Sequence, residues 1–369
     1  MTTDNTNPHP RRRRSLRDLL LTAVTTAMIL CGVSACVDLP DYATAPKDDP
    51  YANFDALADI IDTRYCFFAE KDIDWDKVCA ENRKKVTPDM NQGDLFFLLA
   101  DMLDTLRDGH VNLVSSFNTS YYKKWWSDYP QDFNERTLQQ YYLKFGGLQT
   151  SGIQYVIFMP DSIGYMRYPS FTATVSETGL DYVLSVLSKT RGLIIDVRDN
   201  GGGDLTNIST LVSRFIDSKR IGGYISHKTG PGHDDFSEPY AVEYEPCSPK
   251  RVSYTKPIAV LTNRSSFSAA NDFVAVMKEL PQVKIVGART GGGGGLPFSS
   301  ELPNGWGIRF SASPMTDARG VSIEDGISPS PGCEVHCSDE ELAAGRDAIL
   351  NFAIRMLAGK QTPDVSSPL

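Results

Sequence analysis

Residues 193–203, Leu-Ile-Ile-Asp-Val-Arg-Asp-Asn-Gly-Gly-Gly, constrain the chain more than any other stretch: a buried-strand pattern opening on Leu-Ile-Ile runs into three consecutive glycines. A run of that length bounded by glycine reads as a buried strand, and a helical pattern from about 205 to 217 follows it. Glycine lets the backbone turn tightly and lets another group come close, so such a loop presents N–H donors at a helix start, where negative charge is favoured. The pattern recurs at Ile258–Thr262, which leads into Asn263-Arg264-Ser265-Ser266-Phe267-Ser268-Ala269-Ala270. One strand end offers donors and the other a serine at a helix start. These are the parts an acyl-transfer site needs.

Strands alternate with helices from about residue 153 to 360: strands near 154–159, 163–168, 193–197, 222–227, 240–245, 257–262, 283–287 and 306–312, and helices near 176–189, 205–217, 268–279 and 338–358. Such alternation predicts an α/β core with a largely parallel sheet, whose ligands gather beyond the carboxyl ends of the strands. Residues 51–115 carry apolar side chains at helical spacing (Phe54, Leu57, Ile60, Ile61, then Leu95, Leu98, Leu99, Met102) and read as a small N-terminal helical domain, with Asp94 capping its second long helix. Residues 116–152 form an aromatic-rich connection, either a substrate groove or, as such spacing more often means, a packed seam. The glycines at 291–295 read as a flexible run or as a flap.

The first 35 residues are set aside. Arg11–Arg14 and Arg17 precede an apolar run from Leu19 to Leu30, and Val33-Ser34-Ala35-Cys36 follows. That order is a secretion signal, and its end resembles a bacterial lipobox, which makes Cys36 the lipid-bearing first residue of the mature chain. Residues 36–50, acidic and proline-bearing, read as a tether. The expected location is the bacterial cell envelope, on a lipid anchor. Removing the leader shifts the formal charge from −9 to −12, which excludes a general affinity for nucleic acid. Beyond Cys36 lie Cys66, Cys79, Cys247, Cys333 and Cys337, an odd number that leaves at least one thiol unpaired. Cys333 and Cys337 flank His336, but no second ligand pair has zinc-like spacing. A loop disulfide or free thiols is the expectation, with no metal and no cofactor.

Ser268 has two readings, a nucleophile at a strand-to-helix turn or a plain helix cap, and spacing alone favours the cap. His110 ends Leu106-Arg107-Asp108-Gly109-His110, a glycine stop that ordinary helix termination also explains. A serine nucleophile needs a base of pKa near 7, and only His110, His227, His233 and His336 are available past the leader. Glu324 taken alone is a solvated loop carboxylate. Arg198 and Asn200 read as groups that shape their loop.

Together, residues 193–203, Phe267-Ser268-Ala269-Ala270, Asp108-Gly109-His110, Gly164-Tyr165-Met166-Arg167-Tyr168, Val286-Gly287 and Glu324-Asp325-Gly326-Ile327-Ser328-Pro329 resemble the tail-specific, or C-terminal processing, serine peptidases, in that family's order. The resemblance implies a crotonase-like and ClpP-like core. The family's better-known branch uses a serine–lysine dyad, but Gly293 stands where that lysine falls, so the resemblance is to the tricorn-core branch. It implies Ser268 as nucleophile, His110 as base, Glu324 as the carboxylate that orients it, and N–H groups of Gly201 or Gly202 with Ala269 as oxyanion donors. Gly109 replaces a supporting serine of the tricorn protease, Ser330 replaces the family's usual aspartate, and residues 110–163 are too short for a PDZ module. The function so implied is a serine endopeptidase acting on peptides or unfolded protein ends. The alternative is a non-catalytic ligand- or peptide-binding lipoprotein on the same fold. The sequence leaves the oligomeric state open.

Overall fold

Pro50 opens the first helix, with Asp49 as its cap accepting the N–H of Tyr51 at 2.9 Å. Proline suits that position because its missing N–H would have had no partner there. In the computed structural model, residues 49–144 and 146–361 are described; the leader, Cys36 and nearly all of the tether lie outside them. Helix α1 (Pro50–Arg64) buries Phe54, Leu57, Ile60 and Ile61, α2 (Trp75–Arg83) is tied to it by Trp75 Nε1 donating to the Ala58 carbonyl at 3.0 Å, and α3 (Gln92–Asp104) buries Leu95, Phe96, Leu99, Met102 and Leu103. The cap of α3 is Asn91, not Asp94. The Asn91 side chain accepts the N–H of Asp94 at 2.9 Å, the geometry of a cap bonding three residues on.

After α3 the chain forms β1 (Asn112–Val114), short helical turns at Lys124–Ser127 and Glu135–Thr137, then β2 (Leu148–Thr150), β3 (Ile153–Phe158) and β4 (Ile163–Arg167). Next come α4 (Glu177–Leu187), β5 (Gly192–Asp196), α5 (Thr206–Val212), β6 (Arg220–Ile225), β7 (Tyr240–Tyr244), β8 (Ile258–Thr262), α6 (Ala269–Lys278), β9 (Val283–Gly287), β10 (Gly295–Glu301), β11 (Gly307–Asp317), α7 (Asp339–Ala343) and α8 (Ala348–Leu357). The expected helix over 338–358 is thus two, parted at Gly345, whose φ of 80° only glycine adopts readily.

The six-stranded sheet has the order β2-β3-β4-β5-β8-β9. Every residue of β4, β5 and β8 is buried, because helices cover both faces. Leu193 and Ile195 pack toward α4 and α6 with Leu180, Val183, Leu184 and Phe273, while Ile194 packs the other way with Ala259, Leu261 and the Ile349, Leu350 and Ala353 face of α8. Successive strand residues point to opposite faces, so one run serves both cores.

The expectation of a largely parallel sheet needs correction. β4, β5, β8 and β9 are parallel, but β2 and β3 add antiparallel edges, and a second sheet, β1-β11-β6-β7 with β10 on β11, is antiparallel throughout. Short connections dictate this, since β2–β3 and β10–β11 are joined by links too short for a parallel crossover. β10 escaped the sequence reading because Gly295 and Pro297 mask its strand pattern, and the pairing shifts register at Pro297.

β5 and β8 are parallel neighbours, so the loops after Asp196 and Thr262 emerge side by side. Arg198 anchors the first of them. It is fully buried and bonds Asp196 Oδ2 at 2.7 Å and Asp347 Oδ1 at 2.9 Å. Arg198→Ala leaves two buried carboxylates without their cation, and urea denaturation is expected to show a loss of about 3–5 kcal/mol; an unchanged midpoint would contradict this account of the loop.

Candidate active site

The two strand-end loops are stitched together. Asn263 donates to Asp199 Oδ1 at 2.7 Å and accepts the Asp199 N–H at 3.0 Å, Ser266 Oγ donates to the Val197 carbonyl at 2.7 Å, and the Phe267 N–H donates to the Asn200 carbonyl at 3.0 Å. The next residue, Ser268, is forced to φ 55° and ψ −123°. For a non-glycine residue that region costs about 1–3 kcal/mol and persists only where the surroundings hold it. Ser268 precedes the first residue of α6, yet its side chain makes no capping bond. The hydroxyl faces His110 instead, with Oγ 3.0 Å from Nε2.

His110 sits in the turn between α3 and β1. Its N–H donates to Asp108 Oδ1 at 2.7 Å, and its ring packs on Phe267 with centroids 4.7 Å apart. The ring is almost wholly buried, and burial pushes its pKa down to about 4. Asp108 pulls upward against this, while Arg309 and Lys71 push further down. The imidazole is therefore neutral near pH 7, the state a proton acceptor needs. Its Nδ1 and Asp108 Oδ2 are both buried without a hydrogen-bonding partner among the described residues.

Glu324 does not bond His110, as the family resemblance implied. Its Oε1 pairs with Lys71 Nζ at 2.7 Å, its Oε2 accepts the Gly294 N–H at 2.8 Å, and its backbone carbonyl accepts the Gly293 N–H at 3.1 Å. A buried carboxylate takes the cation and the N–H that reach it, and both Glu324 oxygens are used in this way. Burial and the Asp108 charge raise the Glu324 pKa to about 8, with Lys71 opposing. Burial also works against the Asp108 carboxylate, but Lys71, His110 and its hydrogen bonds more than offset it, so Asp108 stays ionised. One lysine serves two carboxylates. Sequence reasoning missed Lys71, which follows a run of core aromatics and has no spacing signal.

Of the expected donors, Gly202 is already engaged: its N–H donates to Asn200 Oδ1 at 3.0 Å, because Asn200 is buried and must satisfy its own amide. Gly202 has φ 92°, and a Cβ there would lie 2.7 Å from Ser268 Cβ, so glycine is required for this approach. Gly201 is exposed with open space around it, and the Ala269 N–H opens α6, where no helical carbonyl precedes it. The glycine run is pinned rather than free. The Gly291 N–H bonds Ser266 O at 2.8 Å, Gly292 O accepts the Ser268 N–H at 2.8 Å, and Gly294 O accepts the Met315 N–H at 2.7 Å. A Cβ on Gly293 would meet the Phe267 ring at 2.6 Å and His110 Cε1 at 3.1 Å, so the imidazole occupies the space a side chain at this position would need.

Trp125 of the aromatic segment stacks on Phe267 at 4.2 Å between centroids, and a Cβ on Gly109 would lie 2.6 Å from its Nε1, whereas Tyr121, Tyr129 and Tyr141 are exposed. Ser330 closes its loop by accepting the Ile285 N–H at 3.0 Å. The five cysteines among the described residues are free thiols, and His336 bonds Asp132 Oδ2 at 2.9 Å. No group able to hold a metal ion occurs among the described residues.

The depressed His110 pKa makes a stability prediction. As pH falls from the unfolded histidine value, about 6.5, toward the folded value of about 4, the unfolded chain binds the proton first. Stability from this group is complete above that window and lost as pH drops through it. His110→Gln is expected to flatten the fall of the urea midpoint between pH 7 and 4.5; an unaltered slope would contradict a neutral buried imidazole.

Comparison with known proteins bears on the family and the fold. Residues 162–330 match Peptidase family S41 and residues 46–104 match the Tricorn protease C1 domain. The chain is 45% identical to a candidate peptidase from Parabacteroides merdae of known crystal structure, covering 84% of this chain and 96% of that one with a TM-score of 0.80. It is 28% identical over 177 residues to the carboxy-terminal processing protease CtpA of Bacillus subtilis, covering 47% of this chain and 36% of that protein. The crystal structure of mature CPAF shares the fold, with a TM-score of 0.65 at 14% identity over 85% of this chain and 98% of that one. The chain spans 36% or less of the length of the curated relatives it matches. On the near-complete match to the Parabacteroides chain and the match across its α/β core, the protein belongs to peptidase family S41, a family of serine peptidases.

Proposed function

We propose that this protein is an endopeptidase of the cell envelope that cleaves peptides or unfolded protein ends through an acyl-enzyme on Ser268. The observation that carries the reading is the hydroxyl–imidazole contact of 3.0 Å made by a serine whose backbone is held in a costly conformation and whose side chain does no capping. Strain at a nucleophile turn exposes the hydroxyl, and the paired base supplies the activation. The name of the Bacillus relative supports action at carboxyl termini.

In this reading His110 Nε2 accepts the Ser268 proton as Oγ attacks the peptide carbonyl, which assigns the remaining ring proton to Nδ1. The N–H groups of Gly201 and Ala269 stabilise the oxyanion. His110 then delivers its proton to the departing amine, and a water, deprotonated by the same nitrogen, releases the acyl group and regenerates the serine. Asp108, which already holds the His110 backbone, supplies the negative charge that favours the transient imidazolium. Glu324, paired with Lys71, fastens the glycine strand that backs Phe267 and the imidazole. Cys36, outside the described residues, carries the proposed lipid anchor. No helix among the described residues is long and apolar enough to cross a membrane.

Ser268→Ala and His110→Ala are each expected to lower turnover of a cleaved peptide by on the order of 10³-fold or more with the fold intact by circular dichroism. Wild-type rates in either variant would refute the assignment. Asp108→Asn should cost more in kcat than Glu324→Gln, since the glutamine keeps an acceptor for the Gly294 N–H. The opposite order would make Glu324 the carboxylate that serves the imidazole.

A further inference from the structure

Three buried polar atoms have no hydrogen-bonding partner among the described residues and lie together beside the reacting pair: His110 Nδ1, Asp108 Oδ2 and Ser311 Oγ. Their residues are 3%, 1% and 0% exposed, so bulk solvent does not satisfy them. An orphaned polar atom in a core costs free energy, and three in one place call for a common explanation. Ser311 belongs to β11. The antiparallel ladder pairs Val114 with Gly307 and Asn112 with Arg309, and the same register carried two residues further sets Ser311 across from His110. The glycine strand gives a second bearing. A Cβ on Gly293 would lie 3.1 Å from His110 Cε1, and one on Gly295 would lie 2.4 Å from Ser311 Cβ and 2.7 Å from its Oγ. Both side chains press on the same stretch of glycine. The Ser311 hydroxyl is also near enough to the Asp108 carboxylate to favour its ionised form.

Other polar groups nearby are spoken for. Both Glu324 oxygens are used, Lys71 Nζ holds Glu324 and donates to the Arg107 carbonyl at 3.0 Å, and Asn112 Nδ2 donates to the Val111 and Ser120 carbonyls. We propose that Ser311 is a positioning residue of this site, whose hydroxyl accepts a hydrogen bond from His110 Nδ1–H and donates one to Asp108 Oδ2, so that carboxylate and imidazole are joined through one oxygen. One N–H, one hydroxyl that both gives and accepts, and one carboxylate oxygen leave nothing unpaired. Asp108 Oδ1 already accepts the His110 N–H at 2.7 Å, so the carboxylate grips this histidine twice, directly at its backbone and through Ser311 at its ring. The chain fixes the tautomer in which Nε2 turns its lone pair to Ser268. Neither proton of the chain changes atom: Nδ1 keeps its own while Nε2 takes the one from Ser268, and the carboxylate offsets the charge that forms on the ring. Bonds of this kind are often long before substrate binds and tighten as that charge develops. The role in turnover rests on the peptidase reading above, whereas the hydrogen-bonded chain is a property of the resting protein.

The test has a spectroscopic arm that needs no turnover. In the intact protein with isotope-labelled histidine, the His110 ring, assigned by its loss in His110→Gln, is expected to carry its proton on Nδ1 with slow exchange, and Ser311→Ala is expected to abolish that slow-exchanging signal. A ring protonated on Nε2, or an Nδ1 proton unaltered in Ser311→Ala, overturns the proposal. In the kinetic arm, Ser311→Ala should lower kcat by about 10–100-fold, with KM nearly unchanged and the fold intact by circular dichroism. Ser311→Cys, which keeps a side chain of similar shape and a weaker donor, should fall between that variant and wild type. Asp108→Asn combined with Ser311→Ala should be no slower than Asp108→Asn alone, because a chain broken at one link loses nothing more at the next. Losses that multiply would mark Ser311 as packing alone and overturn the proposal. The other hydroxyl near Asp108 is that of Tyr65, which donates to the Leu106 carbonyl at 3.5 Å. A larger loss of kcat in Tyr65→Phe than in Ser311→Ala would give the role to the tyrosine and overturn the assignment of Ser311. If the wild-type protein cuts no peptide while the Nδ1 signal behaves as expected, the peptidase reading fails and the chain from Asp108 through Ser311 to His110 stands.

Discussion

The pairing of two adjacent strand-end loops is the constraint on which the site depends. Asp199, Asn263, Ser266 and Asn200 lock the loop after β5 to the loop after β8 through side-chain and backbone hydrogen bonds, each buried or partly buried. Buried bonds of this kind are expensive to leave unmade, so the loops hold one arrangement. That arrangement leaves Ser268 no ordinary backbone region and no capping role, and its hydroxyl is delivered to an imidazole that precedes it by 158 residues in the chain. The parallel order of β5 and β8 makes the stitching possible, and their all-apolar, doubly covered sequences make that order stable.

Charge is rationed around this contact. Lys71 neutralises the region between Asp108 and Glu324, and Asp108 alone of the two carboxylates touches the His110 turn. The imidazole is kept neutral by burial, by Lys71 and by Arg309. Such a base is permanently ready to accept a proton and is made stronger by whatever offsets the cations beside it. The glycine run has a structural part in the same economy. Its N–H groups satisfy Glu324, and its lack of side chains makes room for Phe267 and His110.

How much of this was legible in the sequence follows from which contacts are local. The run from Leu193 into three glycines and the Ser268 helix start are short-range patterns, and both lead to neighbouring loops as read. Scarcity left four histidines as candidate bases, the family resemblance singled out His110, and it lies opposite the serine. The antiparallel second sheet was less visible, because β10 opens on Gly295 and Pro297 and its partner lies across a turn. Lys71 carried no signal, since its role comes from two carboxylates, one 37 and the other 253 residues further along. The expected bond between Glu324 and His110 was a statement about where a side chain turns, which depends on that lysine. Gly202 was a reasonable donor on composition; only the buried Asn200 amide reveals that its N–H is taken.

The central claim is that His110 makes one serine hydroxyl nucleophilic. The most direct measurement is the rate at which a fluorophosphonate probe labels the intact protein, with the modified residue located by peptide mass spectrometry, as a function of pH. The account predicts a single adduct on Ser268, labelling that persists well below the ordinary histidine range, and loss of that labelling in His110→Ala. Labelling spread over several serines, or a Ser268 adduct that forms equally fast without the imidazole, would contradict it.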